Sequence, residues 1–198
     1  MPLPHRRRFT PAEYLLIERH ADCKSEYLAG DIYAMGGASE AHNLIVLNAA
    51  AELRRQLKGR ACKVYASDMR VKAGDPALYA YPDVVALCGP ARFDDALKDT
   101  LVNPTLIIEV LSPSTASYDR GEKFGRYRQI DSLTEYLLIA QDRPLVEHYV
   151  RQANSQWLLA EHRGLQETVR LPSIDGELAL AEIYDKVELD SRTWGSML

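Results

Sequence analysis

Apolar positions recur at helical spacing over residues 40–58, where Val46, Ala50, Leu53 and Leu57 stand at i, i+4, i+7 and i+11. Ser39 can cap this helix and Gly59 follows as a stop. His42 stands four residues before Val46 and extends the same inward stripe. An earlier, shorter helix is predicted from Thr10, Pro11 and Glu13, which have the spacing of an N-cap, N1 and N3, and it runs to about Ala21. Residues 25–35 read as two short strands around the Gly30-Asp31 turn. Strand patterns then cover Lys63 to Lys72 (one segment or two), Asp83 to Cys88 and Leu106 to Leu111. A helix over Asp119 to Ile130 is expected, with Asp119 and Glu122 spaced as a capping box. Glu135 to Ala140, Leu145 to Val150 and Gln156 to Glu161 read as strands, and a short helix lies near Ala181 to Tyr184. The order helix, three strands, helix, strand, with strands appended at both ends, predicts an α/β (α+β) chain on a mixed sheet.

The 198 residues fit a single domain with a full core. Within it we expect an N-terminal helix and hairpin (1–38), a central core (39–140), and appended strands with an acidic tail (141–198). Charged residues make up 26%, which excludes a disordered polyelectrolyte. Cys23, Cys62 and Cys88 are odd in number and form no CxxC pair, so three free thiols and a reducing, cytoplasmic compartment are expected. No stretch approaches the roughly 18 apolar residues of a membrane span.

The strand from Leu106 to Leu111 carries the first chemical signal. Ile107 and Leu111 share a face with Glu109, and Leu106, Ile108 and Val110 fill the other. Both faces are apolar, so the strand is central and covered twice. A carboxylate there costs several kcal/mol unless it is paired, hydrogen-bonded or bound to a metal. Asp83 faces the same difficulty among Val84, Val85, Ala86 and Leu87, although a solvated strand end would also explain it. Lys123 borders the apolar face of the next helix, with Tyr127 and Ile130 at i+4 and i+7. A snorkelling surface lysine is the bland alternative. Two buried carboxylates and a nearby ammonium suit a hard cation such as Mg2+, with Mn2+ as a substitute.

The segments SEYLAGDIYAMGGASEAHN, YPDVVAL, LIIEVLSPST and YDRGEKFGRYRQIDSLTEYLLI together resemble the Uma-type restriction endonuclease family, within the PD-(D/E)XK nuclease superfamily. The resemblance runs from about residue 10 to 185. It implies a restriction-endonuclease-like core and Mg2+-dependent hydrolysis of DNA. Asp83 matches the motif aspartate, Glu109 the second acidic ligand, and the Val110 carbonyl would be a third ligand. Leu111 stands where the motif lysine belongs, and Lys123 looks like its migrated replacement. Glu40 stands where the superfamily often has an acidic helper. His42, Asp68 and Glu26 are weaker candidates to line the site, each with a structural role as the simpler reading.

Charge bears on the partner. The net charge is −4, yet residues 51–73 hold seven basic side chains (Arg54, Arg55, Lys58, Arg60, Lys63, Arg70, Lys72) against Glu52 and Asp68. Residues 161–198 carry a net −4. Such a chain can engage a phosphate backbone locally, although a solvated face is equally consistent with it. DNA is the expected substrate, with no membrane association and a homodimer to cut two strands. Two rivals remain: a catalytically inactive nuclease-fold protein that binds nucleic acid or a protein partner, and a carboxylate-pair glycosidase.

Overall fold

The computed structural model describes residues 7–189. The first basic residues and the last part of the acidic tail lie outside them. Helix α1 (Pro11–Glu18) precedes a hairpin of β1 (Ser25–Leu28) and β2 (Asp31–Ala34), and α2 (Glu40–Gln56) follows. Next come β3 (Cys62–Ala66), β4 (Arg70–Ala73), β5 (Leu78–Ala80), β6 (Val84–Cys88), β7 (Thr100–Leu101) and β8 (Leu106–Leu111). A short α3 (Ala116–Tyr118), a π turn (Asp119–Lys123) and α4 (Phe124–Tyr127) lead to β9 (Glu135–Ala140), β10 (Leu145–Arg151) and β11 (Trp157–Arg163). The hairpin β12 (Thr168–Leu171) and β13 (Gly176–Ala179) and a last helix α5 (Leu180–Ile183) complete it. No helix among the described residues is long and apolar enough to cross a membrane.

Six strands form the main sheet in the order β11-β10-β9-β8-β6-β3. Only β8 and β9 run parallel in it, joined by the α3–α4 segment. The expected order of helix, three strands, helix and strand is therefore present as α2, β3-β6-β8, α3–α4 and β9. A second sheet, β2-β1-β5-β4-β7, packs against one face.

The period of two along the strands decides which core each residue joins. Val84, Ala86, Leu106, Ile108, Val110, Leu137 and Ile139 face α2, α5 and the β12–β13 hairpin. Val85, Leu87, Ile107, Leu111, Tyr136 and Leu138 face the second sheet and α4. Glu109 alternates with Ile108 and Val110, so it points into the layer between the sheets. Helix α2 starts where expected: Ser39 Oγ accepts the His42 N–H at 3.1 Å. Its buried stripe is Ile45, Val46, Ala49 and Leu53, with Leu57 buried just beyond its end. At α1 the capping box forms as predicted, with the Thr10 hydroxyl accepting from Glu13 N and Glu13 Oε2 accepting from Thr10 N.

Two expectations are corrected. Asp119 caps no helix, because the segment already turns at Ala116 and continues through the π turn, with Asp119 buried inside. Nor are all three cysteines free: Cys62 and Cys88 stand directly opposite in the β3–β6 ladder and form a disulfide. Their separation of 26 residues concealed a cross-strand pairing that only the register reveals. Cys23 remains a free, exposed thiol.

Arg19, just past α1, ties that helix to the loop before β7 through Asp99 (Nε to Oδ2, 2.7 Å) and Asp95 (2.6 Å). The Arg19 guanidinium holds the Asp99 carboxyl well below its ordinary value of 3.8. The stabilisation is therefore present above that value and lost as pH falls through the depressed one. For a pair this exposed it is worth about 1 kcal/mol or less. Arg19→Ala should lower the urea midpoint at pH 7, and the gap to the parent should close well below pH 3.8. A gap unchanged down to pH 2 would show that Arg19 acts through packing rather than charge.

Candidate active site

The site begins where the β6–β8 ladder stops. Paired backbone positions run only to Val84 opposite Ile108. Beyond them, Asp83 Oδ2 accepts the Val110 N–H at 2.7 Å and so extends the ladder with a side chain. The backbone of Asp83 stays in register on its other side, where its carbonyl accepts from Ser67 N. The start of α2 brings His42 Nε2 to 3.3 Å from Asp83 Oδ2.

Glu109 lies one residue before Val110 and is 4% exposed. Its Oε1 accepts from Lys123 Nζ at 2.9 Å and from the Tyr127 hydroxyl at 3.1 Å. Lys123 arrives on the π turn, a geometry with i→i+5 hydrogen bonds that is frequent at functional sites. In this turn Asp119 and Lys123 are buried while Arg120, Gly121 and Glu122 are exposed. The ammonium therefore points inward, 3.1 Å from Glu26 Oε1 and 3.7 Å from Asp119 Oδ1. Leu111, in the motif lysine place, packs its side chain into the core between the sheets.

Three carboxylates thus gather around one ammonium, with Asp83 beside Glu109 as a fourth. Burial pushes the Glu109 carboxyl well above its ordinary range, Lys123 opposes this, and Asp119, Asp83 and Glu26 add to it. Asp119 is raised mainly by burial too. Burial alone would depress Lys123, but Glu109, Glu26 and Asp119 outweigh it and hold the ammonium well above its usual value. Burial also raises the Tyr127 phenol, which stays neutral and donates.

Of the sequence candidates, Asp83, Glu109, Lys123, Glu26 and His42 come together, and Val110 joins through its N–H. Glu40 and Asp68 do not. Glu40 is exposed in the first turn of α2. Asp68 is exposed and pairs with Lys24 at 2.9 Å. Sequence reasoning missed Asp119 and Tyr127 as site residues, reading one as a cap and the other as core. The i,i+4 spacing of Asp119 to Lys123 was the available signal.

Among the described residues, no group of three or more His, Cys, Asp and Glu side chains is spaced to hold a metal ion. The donors nevertheless suit a cation that keeps much of its water. Asp83 Oδ1 and Glu109 Oε2 have no hydrogen-bond partner among the described residues, whereas Asp83 Oδ2 and Glu109 Oε1 are taken. Mg2+ is commonly held through one or two carboxylates with waters completing its octahedron.

Comparison with known proteins decides the family. A family described as "Uma2: Putative restriction endonuclease" matches residues 11–182. The chain belongs to the Uma2 family. Two relatives come from Synechocystis sp. (strain ATCC 27184 / PCC 6803 / Kazusa). The protein called sll1609 is 42% identical over 155 residues, covering 78% of this chain and 88% of its own. The protein called slr1290 is 33% identical over 177 residues, covering 89% and 92%. The crystal structure of "a putative nuclease belonging to DUF820" from Anabaena variabilis ATCC 29413 shares the fold, with a TM-score of 0.74 and 19% identity over 91% of this chain and 99% of that one. The Uma2 chain thus has a nuclease-like α+β fold.

Removing the counter-charge should expose the cost of this cluster. Lys123→Met leaves Glu109, Glu26 and Asp119 without their cation, and should cost about 3–5 kcal/mol in chemical denaturation. Adding Glu109→Gln to that variant should restore part of the loss. Equal midpoints for Lys123→Met and the parent would show that the ammonium is not the balancing charge.

Proposed function

We propose that this Uma2 chain is a Mg2+-dependent endonuclease that hydrolyses phosphodiester bonds of DNA. The observation that carries the reading is the convergence of Asp83 and Glu109 from adjacent strands, with the Lys123 ammonium 2.9 Å from Glu109. Asp83 Oδ1, Glu109 Oε2 and the Val110 carbonyl would hold the cation. The carbonyl suits this role because N–H and C=O of one strand residue project to the same side, and the Val110 N–H points at Asp83. A bound divalent ion supplies an activated water and offsets charge on the phosphoryl group.

The protein's own groups do the rest. Four carboxylates against one ammonium would repel a phosphodiester, and Lys123 offsets part of that repulsion. Its contacts with Glu26 and Asp119 fix the ammonium beside Glu109, so it can stabilise charge that develops at the phosphorus. His42 orients the Asp83 carboxylate from the α2 side. Hydrolysis adds the water oxygen to phosphorus and releases the alcohol of the broken ester bond.

Asp83→Asn and Glu109→Gln should each lower Mg2+-dependent cleavage of a supercoiled plasmid at least 100-fold while both proteins stay folded by circular dichroism. Parent-like cleavage by either would remove that residue from the site. One chain carries one such centre, so cutting both strands of a duplex calls for a homodimer. Light scattering on the eluting protein should give twice the chain mass, and a monomer at micromolar concentration would overturn this.

The burial of Lys123, 5% exposed with its donors facing three carboxylates, favours a second reading. In that reading the chain binds nucleic acid without cutting. Calorimetry separates the two: Mg2+ or Mn2+ uptake by the parent that is lost in Asp83→Asn supports the enzyme, and no uptake supports the binding protein.

A further inference from the structure

The basic stretch at residues 51–73 plays no part in the chemistry above, yet it shapes a cavity of its own. The end of α2, the following turn and the outer edge of β3 enclose about 310 Å³, lined by Arg54, Arg60, Lys63 and Tyr65 over Leu57 and Cys62. No carboxylate is among the lining residues. Arg60 is held in place by the loop after β12: its Nη1 donates to the carbonyls of Ile174 (3.2 Å) and Asp175 (2.7 Å) and lies 3.3 Å from the Asp175 carboxylate. The neighbouring acid Glu52 is engaged by Arg55, at 2.5 Å, and not by Arg54. Arg54 and Lys63 form no ion pair among the described residues, and both are exposed. Arg54 and Lys63, with the Asp175-paired Arg60 beside them, therefore border one concavity on a protein whose net charge is −4. That charge pattern selects an anion.

The cavity also has a defined place relative to Asp83. Ser67 N donates to the Asp83 carbonyl, so Ser67 marks the level of the site on the β3 side of the sheet. Lys63 lies four residues back along the chain, on the order of 13 Å at ~3.3 Å per residue. A nucleic-acid strand rises ~3.4 Å per nucleotide, so this span corresponds to about four nucleotides. Contacts of this kind position a duplex without reading its sequence.

We propose that this cavity holds backbone phosphates of duplex DNA about four nucleotides from the scissile bond. The proposal rests on the nucleic-acid part of the reading above, and its test separates the two. Arginine forks and a lysine suit phosphate oxygens. The cavity then supplies attraction that the acidic centre lacks.

The test uses fluorescence anisotropy with a labelled 30-base-pair duplex, in EDTA so that nothing is cut, at salt from 50 to 200 mM. The double variant Arg54→Ala/Lys63→Ala should reduce the slope of log affinity against log salt by about 1.8, the value for two lost phosphate contacts at ~0.9 each. The control Arg143→Ala/Arg163→Ala removes two cations elsewhere on the surface and should leave the slope unchanged. A double variant with the parent's slope overturns the cavity proposal and leaves the nuclease reading standing. A parent with no salt-dependent affinity for the duplex overturns both. A reduced slope in a protein that never cleaves supports the cavity and removes only the chemistry.

Discussion

A carboxylate in the middle of a strand covered on both faces is the constraint around which this protein is arranged. Glu109 sits between Ile108 and Val110, and all three are buried. Left alone it would cost several kcal/mol, and well-packed apolar residues would be no less stable there. The chain instead brings Lys123 and Tyr127 across from the segment that joins β8 to β9. The same ammonium reaches Glu26 on β1, so one cation links the main sheet, the crossover and the second sheet. Buried charge clusters with perturbed titration of this kind gather at functional sites. The π turn belongs to the same solution, since it turns both Asp119 and Lys123 inward within five residues.

The parts of this arrangement that were legible in the sequence are those set by short-range pattern. The apolar alternation around Glu109 marked a doubly covered strand, and the pattern before Gly59 marked α2. Lys123 was legible as a residue bordering an apolar face. Contacts between elements distant in sequence were not legible. Glu26 enters the site because β1 lies in a different sheet, and nothing near residue 26 encodes that. Asp119 was misread because its spacing to Glu122 mimics a helix start, whereas burial beside Lys123 overrides the local preference. Cys62 and Cys88 paired because strand register places them opposite each other, and a count of thiols carries no register. Glu40 and Asp68 were weaker candidates to line the site, and the start of α2 and the turn after β3 leave both in solvent.

Family and geometry carry different parts of the functional reading. Membership in Uma2 gives the class of protein, and the 0.74 TM-score neighbour gives the fold. Neither assigns a role to any side chain. The proposed roles rest on local physics: Asp83 completing a ladder that backbone atoms have left, and the second oxygens of Asp83 and Glu109 without hydrogen-bond partners among the described residues.

Charge then sets a problem that the centre cannot solve by itself. Four carboxylates and one ammonium present a negative face to a polyanion, and the chain as a whole is acidic. A divalent ion removes only part of that deficit. Screening limits how far any one charge reaches, because the Debye length is ~8 Å at physiological ionic strength. A cation such as Lys63, about 13 Å away along β3 by the rise of ~3.3 Å per residue, would therefore be felt by a bound phosphate backbone more than by the acidic cluster. On the proposal, it would draw a phosphate backbone to the edge of the sheet without neutralising the carboxylates proposed to hold the metal. In the proposed reading, separating attraction from chemistry in this way would let one small acidic protein keep a buried cluster of acids and still approach a nucleic acid.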